Sequence, residues 1–102
     1  MKVIVDVCII PMGVGLSLSP YIAECERIFA AHGLKAQLHA NGTNLEGEWD
    51  QVFGAIKVCH EKLHEMGAVR IGSTIKAFTR TDKSQSMEDK IDSVREKLQA
   101  AE

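Results

Sequence analysis

The sequence has little of what marks several classes of protein. Its 102 residues include only five aromatic side chains (three Phe, one Trp and one Tyr). None of them alternates with Lys or Arg, as the stacking residues of a single-strand nucleic-acid binder do. The 12 basic residues are outnumbered by 14 acidic ones, so the net charge is −2 and no basic stripe offers a surface for a phosphate backbone. No apolar run approaches the roughly 18 residues of a membrane helix. These absences argue against nucleic-acid and membrane partners.

Cysteine is scarce as well. Cys8, Cys25 and Cys59 are odd in number and widely spaced, which argues against a disulfide framework and favours a reducing compartment. All three stand in apolar stretches, so we expect small buried side chains, with a reactive thiol as the alternative. Asp6 interrupts the first apolar run too early for a signal peptide. We therefore predict a cytoplasmic protein in which residues 1–102 form one domain.

The apolar periodicity predicts the element order β-α-β-β-α-β-α. Strands are expected over 3–11, 34–40, 43–48 and 68–79, with a hairpin turn at Asn41-Gly42. Helices are expected from Ser19-Pro20 to Gly33, from the neighbourhood of Trp49 to Gly67, and after a capping Ser86. The first six elements form the split βαβ pattern. They predict a ferredoxin-like α+β fold, with a four-stranded antiparallel sheet, two helices on one face and an extra C-terminal helix.

The second face of this sheet is predicted to take part in assembly. In the predicted topology strand one is central, and it is apolar on both faces, with Val3, Val5, Val7 and Ile9 on one side and Ile4, Cys8 and Ile10 on the other. Two helices cover only one face, so the second set would form an exposed apolar patch in a monomer. We therefore expect a homodimer through this face.

Side-chain alternation places polar groups on that same face. They are Asp6, Gln37, His39, Asn44, Glu46, Arg70, Thr74 and Lys76. In one interpretation they are ion pairs that set the register of a sheet-on-sheet dimer. In the other they line a pocket between subunits, in which Asp6 and Glu46 attract a small cationic or amino-bearing heterocycle.

Three further motifs each allow a structural and a functional interpretation. His60-Glu61-Lys62-Leu63-His64 matches the zinc-protease pattern H-E-x-x-H, but no His follows residue 64 to complete the ligand set, so a solvated helical face is favoured over a zinc hydrolase. Trp49 is either packed at a helix start or a stacking platform for a flat ring. The segment 80–83, Arg-Thr-Asp-Lys, is either a solvated loop or an ion-pair anchor between subunits.

Three stretches of the sequence resemble the YkoF-like thiamine-binding protein family. Residues 6–13, DVCIIPMG, are similar to the first strand and turn of that family, and residues 41–50, NGTNLEGEWD, to its G-T-x-x-E-G-x-W-D hairpin. Residues 80–83 and 89–91 resemble its C-terminal stretch, so the likeness spans essentially the whole chain. His39 departs from the family, where proline is frequent at this position.

The resemblance implies a ferredoxin-like fold and dimers built through the sheets, often paired into tetramers. It further implies binding of thiamine or its hydroxymethyl-aminopyrimidine precursor, with no established reaction and no cofactor. From their side-chain chemistry, Glu46 or Asp6 is expected to accept hydrogen bonds from this ligand, Thr43, Gln37 and His39 to add polar contacts and Trp49 to stack on it, with no metal. A structural or regulatory module without a small ligand is the alternative.

Overall fold

A computed structural model describes residues 1–100 and contains the seven elements in the predicted order. The strands are β1 (Lys2–Met12), β2 (Lys35–His39), β3 (Gly42–Glu48) and β4 (Arg70–Phe78). The helices are α1 (Ser19–Ala31), α2 (Trp49–Glu65) and α3 (Met87–Ala100). The strands form one antiparallel sheet in the order β2-β3-β1-β4, with β1 between β3 and β4. This arrangement confirms the ferredoxin-like fold.

The core lies between the sheet and the helices α1 and α2. The predicted inward set of β1 is buried: Val3, Val5, Val7 and Ile9 are each at most 4% exposed. Both helices end where expected, since Gly33 and Gly67 adopt positive φ angles of 69° and 104°. Beyond each glycine, Leu34 and Ala68 donate their N–H groups back to carbonyls in the last helical turn. These bonds satisfy the free carbonyls and return the chain to the core.

The hairpin turn lies one residue earlier than predicted. His39 pairs with Gly42, so the two-residue loop is Ala40 and Asn41, and Gly42 belongs to β3. The glycine is required by close approach, because a Cβ on Gly42 would lie 2.8 Å from the Val7 carbonyl oxygen and 3.1 Å from His39 Cε1. The Asn-Gly pair does mark the hairpin, but its glycine makes room for the β1 backbone and the His39 side chain instead of forming the turn.

The sheet face opposite α1 and α2, hereafter the open face, is not as bare as predicted. The first turn of α3 lies on it, and Met87 is only 3% exposed. Ser86 and Asp89 cap this helix reciprocally, with N–H to side-chain oxygen distances of 3.0 and 3.1 Å. Further along α3, Val94 and Leu98 remain 59% and 63% exposed. The expectation of an uncovered face was therefore wrong at the end where α3 begins.

None of the helices within residues 1–100 is long and apolar enough to cross a membrane.

Candidate functional site

The six predicted site residues lie in three separate places. Asp6, Gln37, His39 and Glu46 share the open face, as their alternation along paired strands requires. Thr43 pairs with Val7 and faces the helices, where it is 4% exposed. Trp49 lies beyond the far end of β3, and no single small ligand reaches all three places.

Trp49 begins α2 and packs within the chain. Its ring centroid lies 4.5 Å from that of Phe53, and its backbone N–H donates to the Met1 carbonyl oxygen at 2.8 Å. The register pairs Glu48 with Lys2 but Asn44 with Asp6, so Glu48, the residue before the tryptophan, is already about 13 Å along the strand from the level of Asp6. The ring packs on Phe53 but is 38% exposed, and its role as a stacking platform stays a prediction.

Asp6 and His39 form one pair on the open face. His39 Nε2 lies 2.8 Å from Asp6 Oδ1, and its Nδ1 accepts the Asn41 N–H at 3.4 Å. Lys76 stands opposite Asp6 across β1 and β4, whereas Arg70 is opposite Met12 at the other end of the strand. Asp6 therefore already has a hydrogen-bond partner within the chain.

Glu46 holds the start of α3 on the open face. Its side chain is 10% exposed, and its Oε1 accepts the Met87 N–H at 2.7 Å. Its Oε2 lies 3.6 Å from Lys2 Nζ and 3.8 Å from Lys35 Nζ. Gln37 is also engaged with this helix, since its Nε2 donates to Glu88 at 3.2 Å. The carboxylate, predicted as a ligand contact, already has three partners.

A cavity of about 700 Å³ lies on the other side of the sheet, between α1 and the β2–β3 hairpin. We call it the hairpin cavity. Its apolar walls include Ile22 and Leu38. Thr43 and His39, both predicted site residues, line it together with Glu26 and supply polar groups. The Thr43 hydroxyl donates to Glu26 Oε2 at 3.0 Å. This volume suits a small heterocycle, and the mixture of apolar walls with a few converging polar groups is typical of small-molecule sites.

The hairpin cavity also borders a free edge of β1. The pairing of β1 with β3 ends at Val7–Thr43, whereas its pairing with β4 continues through Cys8 to Met12. Within residues 1–100, the β3-facing side of residues 8–12 therefore has no strand partner. Such an edge presents alternating N–H donors and C=O acceptors that a ligand can pair with.

Two of the three thiols, those of Cys8 and Cys25, belong to residues that line this cavity, and the Cys59 thiol is 3.9 Å from the Cys25 carbonyl oxygen. All three cysteines are free. Cys25 and Cys59 are buried, as predicted, whereas Cys8 is only partly buried. The hydrogen bond to Cys25, together with burial, raises the pKa of the Cys59 thiol, so this thiol stays protonated at neutral pH.

The two histidines of the H-E-x-x-H motif contact protein groups. His60 Nε2 bonds to the Ser73 hydroxyl, and His64 Nδ1 donates to the Ala68 carbonyl oxygen at 2.8 Å. Burial, and then the neighbouring His64, lower the pKa of His60. Across the part of the chain that the structure describes, no three His, Cys, Asp or Glu side chains come together to hold a metal ion.

Glu26 is the residue that sequence reasoning missed. It lies on α1 four residues after Ile22 and three before Phe29, so it stands within the apolar stripe of the helix. A carboxylate within the apolar face of a helix indicates a functional group, so the sequence pattern could have identified Glu26. The alternation of β3 likewise indicated that Thr43 faces the helices and not the open face.

The comparisons with known proteins agree with the fold and point to one family. The family model described as "Thiamine-binding protein" matches residues 5–95. A UPF0045 protein of Synechocystis is 52% identical over 94 residues, covering 92% of this chain and 78% of its own length. The UPF0045 protein YqgV of Bacillus subtilis is 38% identical and covers 94% of this chain and 97% of its own.

Two solved structures are similar over nearly their whole length. A hypothetical protein of Methanocaldococcus jannaschii has a TM-score of 0.86 at 35% identity, covering 93% of this chain and 97% of its own. A Thermotoga maritima protein, whose description places it in thiamine biosynthesis or salvage, has a TM-score of 0.79 at 20% identity and covers 93% and 100%. At that identity the second likeness supports the fold alone.

Proposed function

The chain belongs to the thiamine-binding protein family, and we propose that it binds thiamine or hydroxymethyl-aminopyrimidine without converting it. We place the ligand in the hairpin cavity and not on the open face. The observation that carries this placement is the Thr43–Glu26 pair at the cavity, next to the unpaired edge of β1. The family is that of a binding protein, which supports a proposal of binding.

The edge of β1 complements an aminopyrimidine. The ring presents an amino donor beside a ring-nitrogen acceptor, and the unpaired strand edge offers C=O and N–H groups along residues 8–10, which line the cavity. Two such hydrogen bonds hold a flat ring against the strand edge, in the same way that backbone hydrogen bonds hold a neighbouring strand. The apolar side chains of Ile22 and Leu38 then contact the ring faces and exclude water.

Glu26 supplies the charge. Its carboxylate accepts hydrogen bonds from an amino group and offsets the positive thiazolium ring of thiamine. The hydrogen bond from Thr43 keeps one carboxylate oxygen in place before the ligand arrives, which lowers the cost of ordering the site. The second oxygen is left for the ligand.

We assign the open face to assembly, as a homodimer that can pair into a tetramer in a cytoplasmic protein. Ile10, Phe78 and Ile91 are 42%, 61% and 39% exposed, and the polar groups Asp6 and Glu46 are bonded within the chain. An apolar surface whose polar groups are already satisfied favours a protein contact over a polar ligand. Sedimentation velocity tests this: Ile91→Glu is expected to give monomers, and a monomeric unaltered protein would contradict the assignment.

Calorimetric titration with thiamine and, separately, hydroxymethyl-aminopyrimidine tests the ligand. Saturable micromolar binding, about −8 kcal/mol, is expected for at least one of them. Glu26→Gln keeps an acceptor for Thr43 but removes the charge, and we expect affinity to fall about 10- to 100-fold. Glu61→Gln, an exposed carboxylate on α2, is the matched control and should leave affinity unchanged.

A third variant separates the two locations. Glu46→Gln changes a carboxylate of the open face, where the sequence alone placed the ligand. If Glu46→Gln weakens binding and Glu26→Gln does not, the ligand lies on the open face and our placement is wrong. A folded oligomer that gives no heat with either compound would favour a structural or regulatory module without a small ligand. The observation that supports this alternative is that the polar side chains of the open face are bonded within the chain.

A further inference from the structure

A second cavity, of about 540 Å³, lies where the start of β1 meets the connection from β4 to α3. We propose that this cationic cavity binds the phosphate group of a phosphorylated small molecule. It has no lining residue in common with the hairpin cavity. The inference concerns a second ligand and does not depend on where thiamine binds.

Charge is the first argument. Lys2, Arg80, Lys83 and Lys90 line the cavity, and no Asp or Glu is among its lining residues. Four of the chain's 12 basic residues therefore line one concave surface, although the whole chain carries a net charge of −2. A concave surface lined by one sign of charge concentrates the field and attracts the opposite ion.

The second argument is that two of these cations are available to a ligand. Lys83 and Lys90 are exposed, and neither has an ion-pair partner within residues 1–100. Lys90 is nevertheless positioned, since its Nζ lies 4.9 Å from the centroid of the Phe78 ring. This cation–π contact holds the ammonium group at the cavity without neutralising it.

The other two cations are anchored to the protein. Arg80 is held by both carboxylate oxygens of Asp82, and Lys2 lies 3.6 Å from Glu46. Arg80 also donates to Gln85 at 3.0 Å, which fixes the connection between β4 and α3. The Arg80–Asp82 pair is formed within one chain, so it accounts for the charged motif at 80–83 without a partner subunit.

Neutral donors complete the surroundings of an oxyanion. The hydroxyl groups of Thr79, Thr81 and Ser84 line the same cavity. Hydroxyl donors together with lysine ammonium groups are the usual partners of phosphate oxygens. The cations form one concave cluster and no stripe along the surface, which favours a compact phosphate compound over a nucleic-acid backbone.

Calorimetry with inorganic pyrophosphate tests this inference on the full chain. Saturable binding at one site per chain is expected at 50 mM salt, with weaker binding at 200 mM. The double variant Lys83→Gln/Lys90→Gln should bind at least about tenfold more weakly, because two charge-assisted contacts are lost. Lys83→Arg/Lys90→Arg keeps both charges and should retain binding.

The control removes the same charge elsewhere. Lys57 and Lys62 lie on α2, on the opposite side of the sheet, so Lys57→Gln/Lys62→Gln should leave pyrophosphate binding unchanged. No saturable binding to the unaltered protein, or an equal loss in both Gln variants, would overturn the proposal. A change in oligomeric mass without loss of pyrophosphate binding in the Lys83/Lys90 variant would also overturn it, in favour of an anchor between subunits.

Discussion

Gly42 is the position at which one added methyl group most directly tests the geometry of the hairpin. In Gly42→Ala the new Cβ would lie 2.8 Å from the Val7 carbonyl oxygen and 3.1 Å from Asp6 Oδ1. The first of these atoms belongs to the backbone of the central strand, so it cannot move aside cheaply. The second belongs to the Asp6–His39 pair, which the methyl group would push apart.

The magnitude follows from two opposing effects. Replacing glycine in a strand stabilises by roughly 0.5–1 kcal/mol because the unfolded chain loses freedom. Overpacking against fixed atoms costs about 1–3 kcal/mol. We expect a net loss of about 1–2 kcal/mol, and for a chain of this length each 1 kcal/mol lowers Tm by about 4–8 °C.

Two other glycines provide controls, measured like Gly42→Ala by urea unfolding and by thermal melting. Gly72 also lies on the open face, but a Cβ there would meet only the flexible end of Met12, at 3.3 Å, so Gly72→Ala should be nearly neutral. Gly54 is inside α2 with nothing within 4 Å of its added Cβ, so Gly54→Ala should stabilise by about 1 kcal/mol. Gly42→Ala as stable as the unaltered protein would refute the reasoning.

Two further perturbations concern the start of α3 and the helical histidine pair. Glu46→Ala should cost about 1–3 kcal/mol and speed amide exchange at Met87, because a buried acceptor is lost. Glu48→Ala, which removes an exposed pair, should cost under about 1 kcal/mol, and equal losses would contradict this account. The lowered pKa of His60 means that the unfolded state binds more protons, so stability should fall as pH drops below about 6.5. In His60→Asn this part of the decline, measured by urea unfolding, should disappear; an unchanged profile would show that His60 is not its source.

The core and the helix ends were predictable because they depend on local rules. The alternation of Val3, Val5 and Val7 and the apolar spacing of α1 and α2 correctly identified the buried faces. Gly33 and Gly67 marked both helix ends, since the positive φ after a helix strongly favours glycine. The Ser86–Asp89 cap was visible in the sequence for the same reason, because its partners are three residues apart.

The candidate site was less predictable, because its contacts join residues that are distant in the chain. Thr43 meets Glu26 only when the β2–β3 hairpin packs beside α1, and neither residue signals the other. Glu46 was predicted as a ligand contact on an open sheet face, and the sequence does not show that α3 folds back and donates the Met87 N–H to it. Similarly, no periodicity shows that β1 continues beyond the end of β3 and leaves an edge free.

The sequence by itself therefore determined the order of the elements, the face of each strand and the family. These properties depend on the spacing of apolar, polar and glycine residues along the chain, which can be read directly from the sequence. Only the tertiary structure decided which polar groups are already bonded and which remain available to a ligand. That distinction depends on distances between residues 17 to 41 positions apart in the chain, as for Thr43–Glu26 and Met87–Glu46, and packing alone sets those distances.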